Sequence, residues 1–212
     1  MSMKVLILNG SPRANGNTSI ALAEMVKIFE ENKVDVDLIQ VGGQAIRGCI
    51  GCQKCWKEGK CVFDDLVNVV SAKLEEADGF VIASPVYYAS ANGSLVALLD
   101  RLFYSTKADL TMKVGASVAV ARRGGCSSTF DELNKYLTKS SMAVATSIYW
   151  NSVHGRAPGD AAYDAEGLQT MRVLARNMVF LMKSIALGKE AFGLPEQEEW
   201  LPTHFIRDDL KE

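Results

Sequence analysis

The sequence lacks any apolar stretch that approaches the roughly 18 residues of a membrane-spanning helix. The apolar run that begins at Val5 is too short for the hydrophobic region of a signal peptide, and it leads directly into Gly10 and Pro12. We therefore expect a soluble, cytoplasmic protein with no membrane partner. In that compartment cysteines more often bind metal or take part in catalysis than form disulfides.

An excess of charge of either sign is also absent. The 212 residues include 23 Lys and Arg against 25 Asp and Glu, which gives a formal net charge of -2. This balance offers no basic surface for nucleic acid, so the expected partner is a small molecule. The length suits one domain with an appendage.

Short apolar runs alternate with longer segments of helical period along the chain. Val5–Leu8 is a continuous apolar run, which is typical of a central parallel strand covered on both faces. Val34–Leu38 alternates apolar with charged residues and therefore indicates an edge strand. The other predicted strands are Phe80–Ala83, Val114–Ala121 and Ala143–Ile148.

Helices are predicted in the segments between these strands, from apolar residues spaced three and four apart and from their capping signals. The first has Leu22, Met25, Val26 and Phe29 on one face, and the second is capped by Asp64 or Asp65 and ends near Glu76. The third contains Leu95, Leu98, Leu99 and Leu102, and the fourth is opened by Ser128 or Thr129 with Asp131 or Glu132 three residues later. The fifth is a long helix from about Ala165 to Gly188.

Strands separated by helices in this way indicate an α/β fold, with a doubly wound five-stranded parallel sheet. An edge position for the second strand fits the order 2-1-3-4-5. We expect residues 1–188 to form one domain, with a cysteine-rich insertion after the second strand. Residues 189–212 form a C-terminal tail that is too short to fold alone and is expected to dock on the body or on a neighbouring subunit.

Ligands of such sheets bind at the carboxyl ends of the strands, so the loops there form the candidate site. Residues 9–18, NGSPRANGNT, lack the GxGxxG and GK[ST] patterns of dinucleotide and nucleoside-triphosphate sites. They provide backbone amides at a helix N-terminus and several donors, which together suit one terminal phosphate. The donors are Ser11, Arg13, Asn17, Thr18 and Ser19. The alternative is an ordinary polar turn.

Residues 84–93, SPVYYASANG, form the second candidate loop. Tyr87 and Tyr88 can pack beside a flat ring, and the small residues after them let the backbone approach it. The alternative is that both tyrosines only cover the end of the sheet. A phosphate site and a flat-ring site a few strands apart describe a mononucleotide with a large aromatic head.

Four segments in combination resemble the flavodoxin-like NAD(P)H-dependent FMN reductase family, namely NGSPRANGNT, ASPVYYASANGSLVALLDRL, ARRGG and SIYWNSVHG. The resemblance implies that the first loop holds the FMN phosphate through Ser11, Arg13, Asn17 and Thr18. It places Pro85, Val86, Tyr87 and Asn92 beside the isoalloxazine, with Tyr88 and Gly93 in the same loop. Arg122, Gly124 and Gly125 match the third flavin loop, where a cation can stabilise a reduced flavin. Without the resemblance, Arg122 is equally well a solvated charge.

Four of the five cysteines follow the pattern CxxCxxCx5C, namely Cys49, Cys52, Cys55 and Cys61. Structural zinc sites usually draw their ligands from two separated pairs, whereas successive CxxC steps suit a 4Fe-4S cluster. The branch of the family that this chain resembles carries a compact cysteine motif, as iron-sulfur flavoproteins do. Empty thiols, a disulfide formed in air, and zinc are the alternatives. Cys126 is interpreted as a small residue rather than a ligand.

The resemblance implies an FMN-dependent oxidoreductase that takes a hydride from NADH or NADPH and passes electrons to a quinone, a flavin or a similar small acceptor. The alternatives are an electron carrier that serves a ferredoxin-like protein and a binding module without flavin. Because the cofactor does the chemistry, we predict no catalytic protein residue, and His154 is assigned no role as an acid. We expect a homodimer or a homotetramer.

Overall fold

The computed structural model describes residues 3–199 and residue 201, in which strands and helices alternate. The strands are β1 (Met3–Asn9), β2 (Val34–Gln40), β3 (Gly79–Pro85), β4 (Val114–Ala121), β5 (Ala143–Val144) and β6 (Ser152–His154). The helices are α1 (Asn17–Glu31), α2 (Cys55–Glu58), α3 (Leu66–Glu76), α4 (Gly93–Ser105), α5 (Cys126–Lys139) and α6 (Ala165–Phe192), with a 3-10 turn at Asp160–Tyr163.

The sheet is parallel and has the order β2-β1-β3-β4-β5, which confirms the predicted topology. The second strand lies at the edge, as its alternating pattern predicts, and it pairs with β1 from Met3 opposite Val34 to Asn9 opposite Gln40. All the loops that follow these strands therefore meet at one edge of the sheet.

Helices cover both faces of the sheet, and alternate side chains of β1 pack against the two helical layers. Val5 and Ile7 pack with α1 and α6 on one face. Leu6 and Leu8 pack with α3 and α4 on the other. All four side chains are fully buried, so the central part of the strand is a continuous apolar run instead of an alternating one.

The predicted fifth strand, Ala143–Ile148, is wrong in extent, because the chain leaves the sheet after Val144 and returns at Ser152. Both short strands pair with β4, so β6 is an additional sixth strand beyond the predicted five. Between them, the buried side chain of Asn151 donates to the Ser117 carbonyl at 3.0 Å. This side-chain bond replaces a backbone bond that a continuous strand would make to β4, and residues 147–150 project outwards.

Two predicted helix ends also differ from the structure. α5 begins at Cys126, before the predicted Ser128 or Thr129, because Gly125 enters the helix with a positive φ of 94°. α6 continues past Gly188 to Phe192 and ends at Gly193. The domain boundary predicted at residue 188 thus lies inside α6. Most of the predicted tail, including residues 202–212, lies outside the described residues, so its docking stays a prediction.

Asp65 caps α3 by accepting a hydrogen bond from the Val67 amide at 3.1 Å, as one of the two predicted caps. The segment between β2 and α3 lies outside the sheet and contains the cysteines of the predicted insertion. Within the described part of the chain, no helix is both long and apolar enough to cross a membrane.

Candidate functional site

The loop after β1 is held by its own side chains. The buried Asn9 side chain accepts a hydrogen bond from the Ser11 amide at 3.0 Å and donates to the Ser19 hydroxyl at 3.0 Å. The Ser11 hydroxyl in turn accepts from the Arg13 amide at 3.1 Å. Two of the predicted phosphate donors, Ser11 and Ser19, therefore shape the loop through their side chains.

The first turn of α1 faces this loop. The backbone amides of Asn17 and Thr18 have no acceptor among the described residues, which leaves them available to an anion. The Asn17 side chain is engaged elsewhere: it donates to the Ala157 carbonyl at 2.9 Å and accepts from the amides of Gly159 and Ala161. Thr18 is buried. Asn17 and Thr18 therefore offer their backbone amides, and not their side chains, to an anion at this loop.

A cleft of about 580 Å³ lies between the loops that follow β1, β3, β4 and β6. Three exposed arginines line it, Arg13, Arg122 and Arg156. Their guanidinium groups make no hydrogen bond or ion pair with any described residue. Three unpaired cations beside a helix N-terminus make the cleft a strong site for an anion.

The wall opposite α1 comes from the loop after β3. Pro85, Val86 and Tyr87 line the cleft, as do Val120 and Ala121 at the end of β4. This wall is largely apolar, so it suits the flat ring of a ligand whose charged end lies among the arginines.

Tyr88 and Ala89 form the tip of a tight turn, with positive φ values of 52° and 61°. The turn is closed by hydrogen bonds in both directions between the backbones of Tyr87 and Ser90, at 2.9 and 3.1 Å. Two successive left-handed residues define a type I′ turn, which is costly without glycine or asparagine. The Tyr88 side chain lies fully in solvent and does not line the cleft.

α5 supplies the groups that hold this turn. The Glu132 carboxylate accepts from the Ser90 hydroxyl at 3.0 and 2.9 Å and from the Ala91 amide at 2.8 Å. Ser128 donates from its hydroxyl to the Ala89 carbonyl at 2.7 Å. The sequence predicts a helix cap formed by Ser128 or Thr129 with Asp131 or Glu132 three residues later, whereas the structure uses Ser128 and Glu132 to fix the loop.

The remaining predicted residues lie around the cleft without lining it. Asn92 caps α4 by accepting from the amides of Ser94 and Leu95 at 2.8 and 3.4 Å, and Gly93 is the exposed first residue of that helix. Gly125 packs so closely that a Cβ there would lie 2.8 Å from Val86, while Gly124 has open space beside it.

Sequence reasoning missed Arg156 and Glu132. Arg156 lies just beyond the segment SIYWNSVHG, and its proximity to Arg13 depends on the bonds from Asn17 to residues 157–161. The signal available in the sequence for Arg156 was a cation in a polar loop after the last predicted strand, where ligands of such sheets bind. Nothing local distinguishes Glu132 from the neighbouring exposed Asp131.

Cys126, His154 and Asp164 lie in a row beside the cleft. The Cys126 sulfur is 3.9 Å from His154 Nε2, and His154 Nδ1 is 3.6 Å from Asp164. Burial, together with the Asp164 charge, raises the pKa of the Cys126 thiol to about 11. The thiol is therefore protonated at neutral pH and is a poor nucleophile or metal ligand. The Asp164 carboxylate also caps α6 and accepts a hydrogen bond from the His154 amide at 2.6 Å. These two backbone contacts explain its position beside His154 without a catalytic role.

The four clustered cysteines all line a second depression, of about 330 Å³, against α4. Cys55 is buried, Cys61 is partly exposed, and Cys49 and Cys52 are exposed. Gly51, Gln53 and Gly59 bend the segment through positive φ values of 64°, 57° and 70°. In the part of the chain that the structure describes, no three potential ligands are already grouped closely enough to bind a metal ion. The donor set is nonetheless four soft sulfurs around one space, which suits an iron-sulfur group.

Comparison with known proteins gives a consistent assignment. The model of the NADPH-dependent FMN reductase family matches residues 3–157. An iron-sulfur flavoprotein of Methanocaldococcus jannaschii is 35% identical over 191 residues, which cover 86% of this chain and 99% of that protein.

Two solved structures show the fold. An NAD(P)H:quinone oxidoreductase from Methanothermobacter marburgensis superimposes with a TM-score of 0.64 and 16% identity, over 84% of this chain and 96% of that one. A flavodoxin from the domain Archaea superimposes with a TM-score of 0.58 and 16% identity, over 85% and 99%. These likenesses confirm the flavodoxin-like architecture.

Proposed function

The chain belongs to the NADPH-dependent FMN reductase family, and from this premise we propose that it is an FMN-dependent oxidoreductase. It takes a hydride from NADH or NADPH and passes electrons to a small acceptor such as a quinone or a flavin. The observation that carries the proposal is the cleft in which three unpaired arginines and free helix amides face an apolar wall.

Different residues of the cleft bind different parts of FMN. The amides of Asn17 and Thr18 with Arg13 and Arg156 hold the phosphate, and Ser11 fixes the loop that carries Arg13. Pro85, Val86 and Tyr87 would form the surface for the ring, and Arg122 lines the same cleft. Asn92, Gly93, Gly124 and Gly125 belong to the surrounding backbone, the Ser19 hydroxyl helps to hold the loop after β1, and Tyr88 contributes its backbone to the turn after β3.

Bound FMN supplies the chemistry of accepting a hydride and releasing electrons. The protein orients the ring and places positive charge where a reduced flavin becomes negative, which is the part we assign to Arg122. No acid or base is required of the protein. His154, which is exposed and lies beside Asp164, therefore keeps no assigned catalytic role.

We further propose that Cys49, Cys52, Cys55 and Cys61 hold a 4Fe-4S cluster. Their common depression and the iron-sulfur flavoprotein among the relatives support this. Such a group supplies one-electron transfer at the surface of α4. Empty thiols and zinc remain the competing states of these cysteines.

Anaerobic stopped-flow spectroscopy of the FMN-loaded protein tests the proposal. Mixing with NADH or NADPH should bleach the flavin absorbance, and a subsequent quinone should restore it. The Arg13→Ala variant with FMN added in excess is a matched control, because a flavin held in the same cleft should still be reduced. Preparations that never bind flavin would contradict the proposal.

The cysteine depression favours a second candidate, an electron carrier that exchanges single electrons with a ferredoxin-like protein. The same instrument separates the two functions. A flavin that NADH and NADPH leave unchanged, but that a reduced ferredoxin-like donor bleaches rapidly, would establish the carrier. Cytoplasmic location stays a prediction from the sequence.

A further inference from the structure

Arg101 on α4 is buried, with 1% of its surface exposed, beside the cysteine depression that it lines. An arginine is rarely buried to this extent unless its charge is paired. Its Nε and one terminal nitrogen donate to the Cys61 sulfur at 3.3 and 3.2 Å. Two N–H groups of one fixed cation thus converge on a single thiol.

The other edge of the guanidinium is tied to Asp65. The two terminal nitrogens of Arg101 bind the two carboxylate oxygens of Asp65 at 2.8 and 2.9 Å, in the bidentate arrangement that fixes a planar fork. Because Asp65 also caps α3, the fork is anchored to two helices at once. The Phe63 ring lies 5.0 Å from its central carbon and further restricts its movement.

Cys61 itself is held from a second side. Its amide donates to the Asn68 side chain at 2.9 Å, and its carbonyl accepts from the same side chain at 3.0 Å. The position of this sulfur is therefore set before any ligand binds, in contrast to the exposed Cys49 and Cys52.

We propose that Arg101 is a positioning residue that orients the Cys61 sulfur as a ligand and raises the reduction potential of the iron-sulfur group. This rests on the proposed cluster. Accepting one electron makes the group one unit more negative, and N–H donors at a ligand sulfur favour that state. The Asp65 carboxylate offsets part of the charge of Arg101, so the two residues should shift the potential in opposite directions.

Anaerobic potentiometric titration of the full, FMN-loaded chain, followed by electron paramagnetic resonance, measures this potential. Arg101→Lys keeps the charge but cannot reproduce the fork. We expect the equilibrium constant for one-electron reduction to fall about tenfold, equivalent to about 59 mV. Asp65→Asn preserves a good helix cap and should raise the constant.

Arg47→Lys is the matched control. The Arg47 guanidinium lies 4.4 Å from the centroid of the same Phe63 ring, but the residue is exposed. Only its backbone carbonyl accepts a hydrogen bond from Arg101, and Lys keeps that carbonyl, so the reduction potential should not change. Iron and FMN are counted in every variant, and circular dichroism checks the fold.

An Arg101→Lys protein that retains iron at the wild-type potential would overturn the role of Arg101 alone. If the folded, FMN-containing Arg101→Lys variant loses iron while Arg47→Lys keeps it, the positioning of Cys61 is supported. A wild-type chain that binds no iron would overturn both the cluster and this inference, whereas flavin bleaching by NAD(P)H would still stand as an independent result.

Discussion

The Ser90 hydroxyl donates to both carboxylate oxygens of Glu132, at 3.0 and 2.9 Å, and this contact ties α5 to the turn after β3. The two residues are far apart in sequence, and the bond joins the loop after β3 to the helix after β4. The turn that Glu132 holds contains two left-handed residues that are not glycine, Tyr88 and Ala89. Such a turn is strained and needs an anchor from another part of the chain.

Glu132→Ala should weaken FMN binding about tenfold, because the turn that carries Tyr87 loses its anchor and the Ser90 hydroxyl and Ala91 amide lose their shared acceptor. Adding Ala89→Gly should restore part of the affinity, since glycine adopts the left-handed conformation without strain. Fluorescence titration of the flavin-free protein measures the affinity. Asp131→Ala removes an exposed carboxylate from the same helix turn and is the control. Equal affinities in the Glu132 and Asp131 variants would show that the anchor does not matter.

Arg13→Ala and Arg156→Ala should each weaken FMN binding by about 1.5 to 3 kcal/mol, the range for hydrogen bonds to charged groups. Both side chains line the cleft without a partner of their own. Arg123→Ala is the control, because Arg123 is exposed next to Arg122 and does not line the cleft. Isothermal titration calorimetry gives the constants. The phosphate assignment fails if the folded Arg13 variant binds FMN as tightly as the wild type.

Cys55→Ser should abolish iron binding and leave FMN in place, since the two sites share no lining residue. Anaerobic wild-type protein should contain close to four irons per chain if the group is a 4Fe-4S cluster. Cys126→Ser serves as the control and should retain all the iron. Stoichiometric zinc in the wild type, measured by elemental analysis, would replace the cluster with a zinc site.

Alkylation of Cys126 by iodoacetamide should be slow at pH 8 and accelerate up to about pH 11, because burial and the Asp164 charge raise the pKa of the thiol to about 11. Only the thiolate reacts. The folded chain holds this proton more tightly than the unfolded one, so the free energy of unfolding should decrease as the pH rises from about 9 to about 11. Mass spectrometry of the Cys126 peptide follows the reaction. A rate that levels off near pH 8 would contradict the assignment.

Light scattering of the FMN-bound protein at micromolar concentration should give twice the 23.1 kDa mass of the chain or a larger closed multiple. Large apolar side chains such as Trp150, Phe180 and Phe192 are more than half exposed on one chain, and an interface between copies would remove such side chains from water. A monomer that retains flavin would rule out the predicted assembly.

The sequence alone determined the parallel sheet and the loops that form the cleft. Continuous apolar runs such as Val5–Leu8 occur where helices cover both faces of a strand, and the alternation in Val34–Leu38 identifies the edge. Once the strand order is known, the loops after β1, β3 and β4 must meet, because parallel strands end at one edge. Three of the four segments that carried the family resemblance include those loops, and the fourth, SIYWNSVHG, follows β5 and contains β6.

The tertiary structure alone decided which polar side chains serve the ligand and which serve the fold. Asn17 and Ser19 resemble phosphate donors in the sequence, but their side chains bind distant or neighbouring backbone. Arg156 reaches the cleft, Glu132 anchors the turn, and Arg101 is buried against Cys61 through contacts between segments far apart in the chain. Hydrophobic period is a local property and can be recognised in a short window. The partner of a polar group depends on atoms that only the completed packing brings within about 3 Å.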